Sequence, residues 1–206
     1  MQSSMGFSIR KYPLTTISGA LVILFYCVFT LISWAFYPEP YGPSTHYLSR
    51  LGNFNYSPFG AYFYNWGCIL TGIALIPFFM SLKDWWTENI IQRLIMFIGQ
   101  VLGIASGFGL MAIGVFSEDQ GEPHMLASST FFMILFFVLI LIIIALFLNP
   151  TLNKLVGLYG LVIVFSSLAF ALTFGGPLTE WYTVFGSLLF VGLLSINSMK
   201  LNYYLY

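Results

Sequence analysis

Residues 131–148 read FFMILFFVLILIIIALFL, eighteen consecutive side chains with no charged or polar group among them. At 1.5 Å per residue, a helix of that length nearly crosses the ~30 Å hydrocarbon core of a bilayer. In lipid, every backbone N–H and C=O must be bonded internally. A helix meets that demand, whereas an open strand does not, and the stretch lacks the alternation of a barrel strand. It reads as a membrane-spanning helix and, with nothing polar in its middle, as the most lipid-facing one of its bundle.

Five more runs of spanning length surround it. With the first extended to 126–148, they cover about 15–37, 60–82, 90–116, 154–174 and 181–200. The predicted fold is all-α: a polytopic membrane protein with six transmembrane helices in one bundle, forming a single domain over 1–206. The composition agrees, with 59% hydrophobic and 7% charged residues and a mean hydropathy of +0.88. So few charges could not cover a water-facing surface. A net charge of zero gives no basis for nucleic-acid binding. Cys27 and Cys68 both fall inside apolar runs and read as packing residues, not as a disulfide.

Basic residues set the expected orientation. The N-terminal stretch MQSSMGFSIRKYPLTT resembles a signal peptide, but the run behind it is long enough to be retained as helix one. If that end is cytoplasmic, Arg10, Lys11, Lys83, Arg93, Lys154 and Lys200 all lie inside, and Arg50 alone lies outside. The expectation is a cell-membrane protein with both termini cytoplasmic and outer loops at 38–59, 117–125 and 175–180. His46, His124 and most of the acids then fall on the outer side.

Two outer loops hold the candidate chemistry. In the first, STHYLSRL (residues 44–51) reads as a short helix lying in the interface, with His46 and Arg50 on one face. In the second, GVFSEDQGEPHMLASS (residues 114–129) gathers Glu118, Asp119, Glu122 and His124. Asn65 lies one to two turns inside helix two, an expensive place for an amide without a partner. The candidate set is His46, Ser49, Arg50, Asn53, Asn65, Glu118, Asp119 and His124, with Ser128 beside it.

Several readings fit these residues. In the first, they line an outward-facing pocket for a lipid headgroup or small amphiphile, with Arg50 pairing to an anion and Asn65 and His124 bonding from the wall. In the second, Ser49 or Ser128 with His124 and Asp119 forms an extracytoplasmic hydrolase, although no nucleophile-elbow motif accompanies them. A metal-assisted variant would use His46, Glu122 and His124, without any paired-ligand spacing. In another, the chain is a structural subunit, its loop charges solvated, Arg50 bridging to an acid and His124 capping helix four. The sequence indicates no cofactor. Membrane lipids are the expected partners. Gly99, Gly103 and Gly107 make helix three the expected central packing helix, and they also offer a face to a second copy or a membrane-complex subunit.

A family resemblance rests on LSRLG (residues 48–52), SPFGAYFYNWGCILTGI (residues 57–73) and GVFSEDQGEPHMLASSTFF (residues 114–132). These stretches resemble a bacterial and archaeal six-helix membrane family of unknown function. That family has a serine–glycine loop, then an asparagine and glycine in helix two, then a phenylalanine, acid and histidine ahead of helix four. The matching positions are Ser49, Gly52, Asn65, Gly67, Phe116, Glu118 and His124. The layout is also similar, more weakly, to the eukaryotic family of autophagy modulators and lipid-anchor-remodelling factors. That similarity implies lipid-related work but no catalytic residue.

Overall fold

A computed structural model describes residues 12–205. Arg10, Lys11 and the side chains beyond Met199 lie outside that description. The described residues form six α-helices: α1 (Leu14–Ala35), α2 (Gly60–Ser81), α3 (Ile90–Val115), α4 (Glu122–Leu148), α5 (Lys154–Thr173) and α6 (Gly176–Leu205). All six include a stretch long and apolar enough to cross a membrane. The chain is a multi-pass membrane protein.

Each helix packs on its neighbours in sequence, and α6 returns to α1, so the bundle is a closed ring. Local chemistry sets several helix ends. Asn89 accepts from the Ile91 and Gln92 amides at 2.9 and 3.3 Å and caps α3. Asn153 caps α5 through the Leu155 amide at 3.0 Å. Gly121 turns the chain with φ +71°, and α4 then starts with a proline in its first turn. Lys154 Nζ covers the carbonyls of Leu146, Phe147 and Asn149 at the C-terminal end of α4.

Two helices start earlier than their hydropathy suggests. Helix α4 begins at Glu122, not near 126, and α6 at Gly176, not near 181. Counting apolar residues misses the polar first turns, yet those turns are helical and place His124 and Glu180 on helices instead of in loops.

Packing roles also differ from expectation. The α2 span is 61% buried, α4 39% and α5 28%, so α2 is the central helix and α5 the peripheral one. Helix α4 buries Val138, Leu139, Ile142, Ile143, Ala145 and Leu146 in the core, because bulky aliphatics serve the inside of a membrane bundle as well as its lipid face. The glycine stripe of α3 is used within the chain. A Cβ on Gly99 would meet Ile142 of α4 at 3.0 Å, Gly103 faces Phe79, and a Cβ on Gly107 would meet the Gly72 carbonyl at 2.9 Å. The face expected to receive a partner chain is therefore occupied by α2 and α4.

Each end of the ring is closed by a short 3-10 turn. At one end lies Leu82–Trp85, with Trp85 1% exposed. The Trp85 carbonyl accepts from Gln92 Nε2 at 3.1 Å and Asn149 Nδ2 at 2.8 Å. Trp85 is thus a plug, whereas Trp86 beside it is exposed. At the other end, Leu48–Gly52 replaces the interfacial α-helix expected over 44–51. Leu48 and Leu51 are both fully buried. These leucines belong to a loop, so lowering them into the mouth of the ring removes them from water, worth about 1.5–3 kcal/mol each.

Candidate functional site at the polar end of the bundle

The Leu48–Gly52 turn is held from every side. Glu180 on α6 accepts from the Leu48 and Ser49 amides at 2.8 and 3.2 Å. Ser33 of α1 donates to the Leu51 carbonyl at 3.2 Å, and Asn65 of α2 donates to the Gly52 carbonyl at 3.0 Å. Asn65 therefore anchors the turn. Gly52 leaves no room for a side chain, because a Cβ there would strike Asn65 and Tyr64.

A latch joins this turn to the 117–121 segment. Arg50 Nε pairs with Glu118 Oε1 at 3.1 Å, and the guanidinium lies 4.5 Å from the centroid of the Tyr56 ring. Asn53 Nδ2 donates to the other Glu118 oxygen, and Asp119 accepts from the Phe54 amide at 3.2 Å. The anion expected opposite Arg50 is thus supplied by the protein. Asp119 is engaged by backbone, not by His124.

His46 is apart from this cluster. Its ring stacks on Tyr41 at 5.0 Å and its Nδ1 bonds to Thr45 at 2.8 Å, while its carbonyl accepts from Trp181 Nε1 at 3.0 Å. The Arg50 partner that an α-helical 44–51 would have supplied is lost with the change to a 3-10 turn. Tyr41 donates to the Tyr47 carbonyl at 2.6 Å. Burial, with Glu180 adding to it, pushes the Tyr41 phenol well above its ordinary range, so this donor stays protonated. Glu122 lies elsewhere, at a shallow depression between α3 and α4. Among the described residues, no three of His, Cys, Asp and Glu come together as a metal-ligand set.

His124 faces inward. It is 7% exposed, and its Nδ1 lies 2.7 Å from the Phe116 carbonyl. Nδ1 must carry the hydrogen, so in the neutral ring Nε2 is left as an acceptor. The orienting partner that a serine–histidine–aspartate arrangement would draw from Asp119 is here a backbone carbonyl.

Beneath the Leu48–Gly52 turn is a chamber of about 70 Å³, enclosed by α1, α2, α3, α4 and α6. Ser49, His124, Ser128 and Glu180 line it together with Tyr26 and Tyr64, whose hydroxyls lie 3.3 Å apart. Further down its wall are Thr71 and Ser187. A second, larger space of about 420 Å³ runs as a groove between α4, α5 and α6. Its walls are mostly apolar, with Ser167, Thr179, Glu180 and Thr183 as polar points. Phe132, Leu135 and Glu180 line both spaces, which therefore adjoin at these residues.

Among the buried side-chain polar atoms without a hydrogen-bond partner, three belong to residues that line these two spaces: Thr71 and Ser187 at the chamber, and Ser167 at the groove. Buried hydroxyls normally find a partner, and leaving one unmet costs about 1–3 kcal/mol.

The structure thus gathers Ser49 and His124 at the chamber and Arg50, Asn53, Glu118 and Asp119 in a latch above it. It places Asn65 under the turn and His46 to one side. The residues that sequence reasoning missed are Glu180, Tyr26, Tyr64, Thr71 and Ser187. The one available signal was the acid of LTEWY (residues 178–182), directly against an apolar run.

Residues 20–197 match the family described as Protein of unknown function (DUF998). No curated protein and no solved structure is significantly similar to the chain. The match covers all of α2 to α5, most of α1 and α6 and every residue of the latch and chamber, and the chain belongs to this family of unknown function.

Proposed function

We propose that the protein binds an amphiphile taken laterally from the membrane, with its tail in the α4–α5–α6 groove and its polar end at the chamber. The observation that carries this reading is the trio of unpartnered hydroxyls on two adjoining cavity walls. An apolar groove that ends on a few convergent polar groups is the usual form of a small-molecule site. Access from above is closed by the Leu48–Gly52 turn, whose two leucines are fully buried, so the groove side supplies the route. The polar end is the outward-facing one on the distribution of arginine and lysine.

Leu135→Trp tests the proposal, because Leu135 faces both spaces and an indole there fills their junction. Purified wild-type protein should retain an amphiphile detectable by mass spectrometry of the extracted complex, and Leu135→Trp should retain about a tenth as much or less. Leu172→Trp, on an exposed position of α5, is the control and should match wild type. Equal retention by all three proteins would defeat the proposal.

A further inference from the structure

We infer that the ligand's polar end is a primary ammonium, making the protein selective for cationic amphiphiles. This rests on the amphiphile reading and deepens it. The argument begins with charge. Arg50–Glu118 is the one salt bridge among the described residues, so Arg50 is spoken for and Glu180 has no cation against it. The contacts Glu180 does have are the Leu48 and Ser49 amides and the Ser49 side chain. These orient the carboxyl group and leave it without a cationic partner where groove and chamber adjoin. A carboxyl group away from water holds its charge only with a cation beside it, and among the described residues none is supplied.

The neighbouring groups suit the same ligand. His124 Nε2 is an acceptor in the neutral ring, and Thr71 and Ser187 offer hydroxyl oxygens that no protein donor uses. Both hydroxyl side chains are more than nine-tenths buried and line the chamber. Phe132 adds an aromatic ring at the junction, where a face turned to the ligand attracts a cation. An ammonium brings three donors and a positive charge to a carboxyl group, an imidazole nitrogen and hydroxyls that can all accept. A phosphate or sulfate would bring negative charge to Glu180, with the nearest guanidinium already paired.

Protein in maltoside micelles is titrated with dodecylammonium, 1-dodecanol and dodecyl sulfate, which share a tail and differ in the head. Binding is followed by the rise in unfolding temperature and by equilibrium dialysis. Dodecylammonium should bind at least about tenfold more tightly than 1-dodecanol, and dodecyl sulfate more weakly than either. Glu180→Gln keeps an acceptor for the turn and should bring the ammonium-to-alcohol ratio close to one without changing alcohol binding. Because Glu180 also holds the turn, Thr183→Lys provides a second variant. It places an internal ammonium one turn along α6, on the groove wall, and should abolish the same preference with the carboxylate intact. Asp84→Asn, which removes an exposed acid at the opposite end of the bundle, should leave the ratio at its wild-type value. Equal binding of dodecylammonium and 1-dodecanol by wild type overturns the inference but leaves the groove reading in place. So does a ratio that survives both Glu180→Gln and Thr183→Lys. Failure of all three amphiphiles to bind, with Leu135→Trp indistinguishable from wild type, would defeat the groove reading itself.

Discussion

Glu118 holds two side chains at once, Arg50 through one carboxylate oxygen and Asn53 through the other. Its importance therefore exceeds that of an ordinary surface ion pair. The pair is 30% and 20% exposed, and at that exposure the charge–charge part contributes about 1 kcal/mol or less. A hydrogen bond from a neutral donor to a charged acceptor adds about 1.5–3 kcal/mol. Glu118→Gln should thus lose the ion pair and the charge assistance of the second bond but keep a neutral bond from Asn53 to its amide oxygen. Glu118→Ala should lose both contacts, about 2–4 kcal/mol in all. Thermal unfolding in micelles would check the order, with Ala below Gln and Gln below wild type. If Ala and Gln melt together, the Asn53 bond contributes nothing and the latch is only an ion pair. Arg50, Glu118 and His124 stood out in the sequence because charge is scarce in this chain. Glu180 did not, since its partners are two backbone amides 131 and 132 residues away, which no local pattern reveals.

At the scale of elements, α2 and α3 approach each other backbone to backbone. A Cβ on Gly72 would lie 2.5 Å from the Gly107 carbonyl oxygen, and one on Gly107 would lie 2.9 Å from the Gly72 carbonyl oxygen. Neither obstacle is a side chain that can swing aside. Between membrane helices there is little hydrophobic drive, so close van der Waals contact carries the association, and a wedge between the helices weakens it directly. Gly72→Ala and Gly107→Ala should each destabilise by about 1–3 kcal/mol, the usual cost of overpacking. Gly42→Ala, where nothing lies within 4 Å, should be neutral. Unfolding temperatures of the three variants would decide it, and a neutral Gly72→Ala would mean that the helices can separate at no cost. The glycine spacing announced a close helix contact, but not which helix would fill it. Hydropathy showed that α4 and α6 exist, yet it could not show that their first turns are polar and helical. The amphipathic look of residues 44–51 was real, but the leucines turn into the ring, shortening the segment to a 3-10 turn.

The whole molecule is a ring with a plug at each end and a different charge balance at each. Lys83, Arg93 and Lys154 belong to the Trp85 end, whereas Arg50 belongs to the polar end and is neutralised there by Glu118. By count, three described basic residues lie at the Trp85 end and one at the polar end, the bias expected if the Trp85 end is cytoplasmic. The chamber, by contrast, could not be foreseen from composition or periodicity, because which side chains face inward depends on how six helices close into a ring. Thr71 and Ser187 sit in apolar runs and look like ordinary packing residues until that closure is known. Orientation fixes whether the proposed amphiphile would come from the outer or the cytoplasmic leaflet, and it can be measured. Cys27→Ala and Cys68→Ala remove both native thiols. In that background, Glu122→Cys and Asp84→Cys place single thiols at exposed positions on opposite ends of the bundle. In intact cells, a membrane-impermeant maleimide should modify the thiol at 122 and spare the one at 84, with both reacting after the membrane is opened. The reverse pattern would turn the polar end to the cytoplasm and make the inner leaflet the source of the proposed amphiphile.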